Sequence, residues 1–194
     1  MEKTRCNWVS NDELYIKYHD EEWGKPVYDD KVLFEFLVLE SFQAGLSWIT
    51  ILKKRENFRK AFDNFNDKKI VKYDDAKIEE LLQNEGIIRH RGKIEATVNN
   101  AQCFMEVQQE FGTFSNYIWS FVNNKPIVNA HKSIKEVPAT TEISDTLAKD
   151  LKKRGFKFLG STVVYAHMQA TGMTNDHLTT CFRYNEINDL HSGT

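Results

Sequence analysis

The chain has 194 residues, of which 41% are hydrophobic and 28% charged. At roughly 150 residues per domain this predicts one domain, large enough to bury about 70% of its unfolded surface. The composition excludes disordered, collagen-like and low-complexity classes. The net charge of −2 excludes a uniformly basic nucleic-acid binder. No apolar run is long enough to span a bilayer. The segment Met1-Glu2-Lys3-Thr4-Arg5-Cys6 lacks the apolar core of a signal peptide, so a cytoplasmic location is expected.

Prolines occur only at 26, 126 and 138, and helical spacing fills the stretches between breakers. The N-terminal sequence that holds Trp8, Tyr18 and Trp23 reads as irregular. Asp29-Asp30 predict the start of a helix with Leu33, Phe34, Leu37 and Val38 on its apolar stripe, ending near Gly45. Ser47 starts a second, with Trp48, Ile49 and Leu52 inward and the basic residues of 53–60 outward. Asp74-Asp75 precede a short helix ending at Asn84-Glu85-Gly86, and a longer one follows Gly92. Ser115 is read as the cap of the next, and Asn123-Asn124-Lys125-Pro126 as a turn. Ser144-Asp145 start a helix that Gly155 ends; Gly160-Ser161 start another that Gly172 ends. Period-2 alternation is nowhere sustained. The expected fold is all-α, a single compact helical domain spanning 1–194, with 185–194 as a mobile tail.

Three groups of residues carry candidate chemistry. The first is the hairpin Gly86-Ile87-Ile88-Arg89-His90-Arg91-Gly92-Lys93, where the orphan amides of a helix start would sit beside cations. Such a corner suits phosphate; an ordinary turn with solvated charges is the alternative. Basic residues also cluster at 53–60 and 152–157, and folding could gather the three clusters into one positive face. The second group is His177 with Cys181, at a spacing that puts both on one face if the segment is helical, together with Cys6 and His19. Two thiols and two imidazoles form the ligand set of a tetrahedral structural zinc that would join the two chain ends. Four unrelated residues, or a Cys6–Cys181 disulfide, remain alternatives, although a cytosolic setting disfavours the disulfide. Cys103, among apolar neighbours, reads as a buried packing residue.

The third group centres on Glu40, which falls on the inward stripe of an apolar helix. Buried carboxylates are rare and need partners, so Glu40 is a functional candidate, against a plain carboxyl bonded to nearby backbone. Glu35, on another face, reads as a solvated charge. Trp8, Tyr18, Trp23 and Trp48 offer aromatic walls for a planar ligand, or simple core packing.

Taken together, the sequence resembles the bacterial DNA-3-methyladenine glycosylase I family of the helix-hairpin-helix glycosylase superfamily. The resemblance is collinear from residue 5 to about 181. It rests on Arg5-Cys6-Asn7-Trp8, Tyr18-His19-Asp20-Glu21-Glu22-Trp23-Gly24, Leu39-Glu40, Gln43-Ala44-Gly45-Leu46-Ser47-Trp48 and Leu52-Lys53-Lys54-Arg55. It continues through Gly86 to Ile94, Leu151 to Phe158, and Asn175-Asp176-His177 with Cys181. The resemblance implies a monomeric enzyme that flips 3-methyladenine out of alkylated double-stranded DNA and hydrolyses its glycosidic bond. It implies one structural zinc on Cys6, His19, His177 and Cys181, and a pocket in which Glu40 reads the base beside Tyr18 and Trp48, with Trp8 and Trp23 nearby. It further implies a Gly45-Leu46 corner that probes the duplex, and a hairpin whose Arg89, Arg91 and Lys93 hold phosphate. No lysine stands where lyase-type members place their nucleophile, so a monofunctional enzyme is expected. A zinc-stapled DNA-binding module and a zinc hydrolase are the competing classes; four protein ligands would leave the latter no open coordination position.

Overall fold

A computed structural model describes residues 3–43 and 45–192. Ala44 of the Gln43–Trp48 motif lies outside them, as do the first two and last two residues. Ten α-helices occur among the described residues: α1 (Glu13–Glu21), α2 (Asp30–Phe42), α3 (Trp48–Ala61), α4 (Asp67–Ile70), α5 (Asp75–Gln83), α6 (Arg91–Phe111), α7 (Phe114–Ser120), α8 (Glu142–Lys153), α9 (Ser161–Ala170) and α10 (Arg183–Ser192). One parallel pair of two-residue strands, β1 (Ile127–Val128) and β2 (Thr174–Asn175), ties the middle of the chain to its end. The expected all-α class holds.

Helix α2 is the central rod. Every residue from Leu33 to Phe42 is buried, so no polar stripe marks this helix, and α9 packs along it. Its start is fixed twice. The Asp29 side chain accepts from Val32 N at 3.0 Å. Asp30 reaches across to accept from Phe114 N and Ser115 N, each at 2.8 Å. Asp30 thereby claims the amide of Ser115, and the cap of α7 falls to Thr113 rather than to Ser115. Similarly, α8 begins at Glu142 because Thr141 and Ser144 form a reciprocal capping box. Gly172 at φ +71° has no room for a side chain, since a Cβ there would lie 2.3 Å from the carbonyl carbon of Lys25.

Several expectations change. The N-terminal segment is not irregular: Asp12 caps α1 by accepting from Leu14 N, and Tyr18 and His19 lie buried on that helix. Glu35 is not a solvated charge. It is 4% exposed and accepts from Arg55 Nε at 2.5 Å and Arg59 Nη2 at 2.7 Å, while Arg55 also donates to Glu22 at 2.7 Å. Arg55 accordingly faces inward, whereas Lys53 and Lys60 of the same basic cluster are exposed. The network welds α1, α2 and α3 at the corner that carries Tyr18, Glu40 and Trp48. The segment expected as a tail from residue 185 continues α10 through Ser192. Ile187 is fully buried there, and Asn175 Nδ2 donates to Tyr184 O and Asn188 Oδ1.

Candidate active site and metal centre

Cys6, His19, His177 and Cys181 converge, all buried, with their donor atoms within 4.8 Å of one another. The chain ends bring them together: His19 lies in the last turn of α1, Cys6 precedes that helix, and His177 and Cys181 follow β2 in a turn segment, not in a helix. The Cys181 Sγ lies 3.5 Å from His19 Nε2 and 3.6 Å from His177 Nδ1, and the Cys6 Sγ lies 3.6 Å from His177 Nδ1. A tetrahedral zinc with bonds of about 2.3 Å to sulfur and 2.0–2.1 Å to nitrogen sets sulfur and nitrogen roughly 3.6 Å apart. The four residues therefore fit such an ion. Both imidazoles also have outer partners of the kind that fix metal-binding tautomers. His19 Nδ1 meets Asp20 Oδ1 at 2.7 Å, and His177 Nε2 meets Trp23 O at 3.1 Å. Leu178 N donates to Cys6 Sγ at 3.4 Å. The shared hydrogen bond with Cys6 pulls the Cys181 thiol well down, and the same partnership, with burial, pushes Cys6 up. Gly24, at φ +81°, lets the backbone approach closely: a Cβ would meet His177 Nε2 at 3.0 Å. The sulfurs are free, so no disulfide joins Cys6 to Cys181.

The aromatic residues pack directly on this cluster. Trp8 lies edge-on to Trp23, with ring centres 5.0 Å apart, and 5.2 Å from His19; Trp23 lies 4.6 Å from His177. Tyr18 and Trp48 stand 5.7 Å apart. Together with Glu40 these residues line an open cavity of about 390 Å³. Its opposite wall comes from α9 and the segment 134–139. Glu40 is 4% exposed, and no described residue gives its carboxyl a hydrogen bond. Burial alone raises it from an ordinary value near 4.5 to about 8. The Tyr18 hydroxyl is pushed well up by burial and, secondarily, by Glu40. The indole N–H of Trp48 is buried without a well-formed hydrogen bond, and the Tyr18 hydroxyl feels it as a donor. The cavity thus combines aromatic faces with an uncommitted carboxyl, which suits a planar, polar-edged, cationic ligand.

Of the expected DNA-contact residues, Gly45 takes φ +79° and Leu46 is 39% exposed at the turn between α2 and α3, beside the cavity. Arg89 is exposed on the 84–90 turn and Arg91 is exposed at the start of α6, where it is held by Glu79 and by Glu95 at 3.6 Å. Lys93 departs from expectation. It is 6% exposed, and its Nζ donates to Phe42 O at 3.3 Å, completing the C-terminus of α2. It buttresses the Glu40 helix and does not face solvent. A second hairpin, between α8 and α9, carries the basic cluster of 152–157. There Phe158 is 47% exposed at φ +58° and meets the His90 ring at 6.0 Å, joining the two hairpins. Sequence reasoning passed over Tyr15, Tyr165, Gln169 and Asp176 in the cavity wall. The spacing of Thr162, Ala166 and Gln169 along α9 was the available signal, masked by the apolar residues between them.

Residues 8–184 match the methyladenine glycosylase family. Across 180 residues the chain is 51% identical to DNA-3-methyladenine glycosylase 1 of Escherichia coli (strain K12), covering 93% of this chain and 96% of that protein. A crystal structure of 3-methyladenine DNA glycosylase I superposes with TM-score 0.90 at 52% identity, covering 92% of this chain and 98% of the other. A structure describing 3-methyladenine recognition by the Staphylococcus aureus 3-methyladenine DNA glycosylase I gives TM-score 0.89 at 40% identity, covering 92% and 95%. The chain is an enzyme of the DNA glycosylase class, a hydrolase. It belongs to the methyladenine glycosylase family.

Proposed function

We propose that this protein removes 3-methyladenine from alkylated double-stranded DNA by hydrolysing the N-glycosidic bond, leaving an abasic site. The observation that carries this reading is the buried, unpartnered Glu40 carboxyl inside an aromatic cavity. With its ionisation centred near pH 8, the empty site holds mostly the neutral acid at neutral pH. A base methylated at N3 is a cation, so its arrival supplies the counter-charge that the protein withholds. The carboxyl then ionises and accepts from the base edge, a charge-assisted hydrogen bond worth about 1.5–3 kcal/mol. A neutral base leaves the buried charge uncompensated. The alkylated base is already a good leaving group, so binding and orientation suffice without a strong general acid.

A cavity lined in this way is reached only by a base extruded from the stack. Tyr18 and Trp48 would hold its faces, with Trp8 and Trp23 behind them, and exposed Leu46 would enter the gap beside Gly45. The duplex would lie across the two joined hairpins. Lys149, Lys152 and Lys157 are exposed there and pair with no carboxylate among the described residues, and the α9 N-terminus carries no side-chain cap. No described lysine lines the cavity, which supports a monofunctional hydrolase rather than a lyase. One structural zinc on Cys6, His19, His177 and Cys181 would hold the aromatic wall in place. The enzyme would act as a monomer in the cytoplasm. Release of free 3-methyladenine from methylated duplex DNA by purified protein tests the reading. Release by wild type and its loss in Glu40→Gln are expected; DNA binding without base release would overturn it.

A further inference from the structure

Asp176 and Gln169 form a second polar pole in the cavity wall, opposite Glu40. Asp176 is 3% exposed. Its Oδ2 accepts from Tyr165 OH at 2.5 Å and Gln169 Nε2 at 2.8 Å, and its Oδ1 accepts from Asn129 Nδ2 at 2.7 Å. A carboxylate bonded in this way is an acceptor only. It therefore compels Gln169 to turn its NH2 group toward Asp176 and its carbonyl oxygen the other way. Gln169 lines the cavity, and no described residue donates to that carbonyl oxygen. An amide normally free to flip is here locked with one hand fixed and one acceptor open.

We propose that Gln169 is a specificity-determining residue that offers its carbonyl oxygen to a hydrogen of the position-6 amino group of the bound base, and that Asp176 is the positioning residue that fixes its orientation. This rests on the reading of the cavity as a base-binding site. Glu40 also meets the base edge, but a carboxyl raised to about 8 by burial can keep its proton and donate to a carbonyl as well as ionise and accept from an amino group, so it does not by itself separate one N3-methylated purine cation from another. Adenine and guanine differ at position 6, where the first carries an amino donor and the second a carbonyl acceptor. A locked acceptor favours the donor and opposes the carbonyl, since two facing acceptors stay unpaired in a buried site. A freely rotating amide would serve either edge equally, and the Asp176 lock removes that tolerance.

The test compares full-length wild type, Gln169→Met and Asp176→Asn on duplex DNA methylated to carry both 3-methyladenine and 3-methylguanine, with released bases quantified by chromatography. Gln169→Met keeps the length of the side chain and removes the acceptor. The proposal expects release of 3-methyladenine to fall about tenfold while release of 3-methylguanine falls less, so that the ratio narrows. Asp176→Asn, which can pair with the Gln169 amide in either orientation, is expected to narrow the ratio by a smaller factor. Melting temperatures are read alongside. Equal losses on both bases, or no change on either, overturn the proposal, because a structural role alone leaves the ratio fixed. Should Gln169→Met melt far below wild type, the Asp176→Asn ratio decides in the same sense. Failure of wild type to release either base refutes the proposed function before any variant is compared, and this inference falls with it.

Discussion

The burial of Glu40 sets function against stability, and the conflict can be measured through pH. A carboxyl raised from near 4.5 to about 8 by burial binds its proton more tightly in the folded chain than in the unfolded one. Between those two values folding takes up a proton, so stability falls as pH climbs through the window and levels off above it. At 1.36 kcal/mol per unit, keeping Glu40 protonated in the folded, empty enzyme costs on the order of 3 kcal/mol at pH 7. The penalty grows by about 4 kcal/mol between pH 5 and pH 9. Glu40→Gln keeps the shape and removes the titration, so every other group cancels in the comparison. For a domain of this size 1 kcal/mol moves the melting temperature by about 2–4 °C. The variant should melt close to wild type at pH 5 and roughly 10 °C above it at pH 9, while excising no 3-methyladenine. Thermal melts of both proteins at the two pH values provide the assay. A difference in melting temperature that does not change with pH would refute the claim that an uncompensated carboxyl is buried here.

Elemental analysis of protein purified without added metal should find one zinc per chain, and stripping it should lower stability by several kcal/mol, because ligand assembly is coupled to folding. Metal-free protein of unchanged stability would contradict this. Glu35→Gln leaves the buried Arg55 and its neighbour Arg59 facing a neutral amide; a loss of about 3 kcal/mol is expected from denaturant unfolding, and a value near zero would show the network to be incidental. Binding to undamaged duplex should weaken with salt, and Lys152→Ala should reduce the slope of log affinity against log salt by about 0.9. Arg91→Ala should change that slope less, because Glu79 and Glu95 already hold Arg91. Equal slopes in wild type and Lys152→Ala would remove the second hairpin from the DNA face.

The sequence made legible what depends on residue type and short spacing. The His177/Cys181 pair, the inward position of Glu40 and the starts of α2 and α3 could be read from local pattern. It also located the hairpin at 86–93 and gave the helical class, because apolar periodicity is a local property. What it hid depends on partners far along the chain. Glu35 reads as a surface charge until Arg55 and Arg59 are folded against it. Lys93 reads as a phosphate ligand until its amine meets the end of α2, 51 residues earlier. Helix α1 was missed because its buried face is made of Tyr18 and His19, whose burial follows from the metal cluster and the cavity rather than from an apolar stripe. Asp176 sat inside the quoted Asn175-Asp176-His177 run, yet its role emerges only when Tyr165, Gln169 and Asn129 converge on it.

The pairing of the chain's first turn with its last has a consequence for biosynthesis. Cys6 and His19 leave the ribosome early, whereas His177 and Cys181 follow more than 150 residues later. At about 5–20 residues per second the early pair waits on the order of 10 to 30 s, its thiol exposed and its imidazole unmatched. Trp8 and Trp23 wait with it, since they pack against Leu178 and Cys181. A ribosome that stalls just before residue 177 therefore yields a chain whose helices α2 to α9 can collapse but whose Cys/His cluster, with the aromatic packing around it, stays incomplete. Such a product could bind DNA through its hairpins yet excise nothing. Completing the cluster is accordingly the act that separates a mature repair enzyme from a nascent, inert competitor for the same substrate.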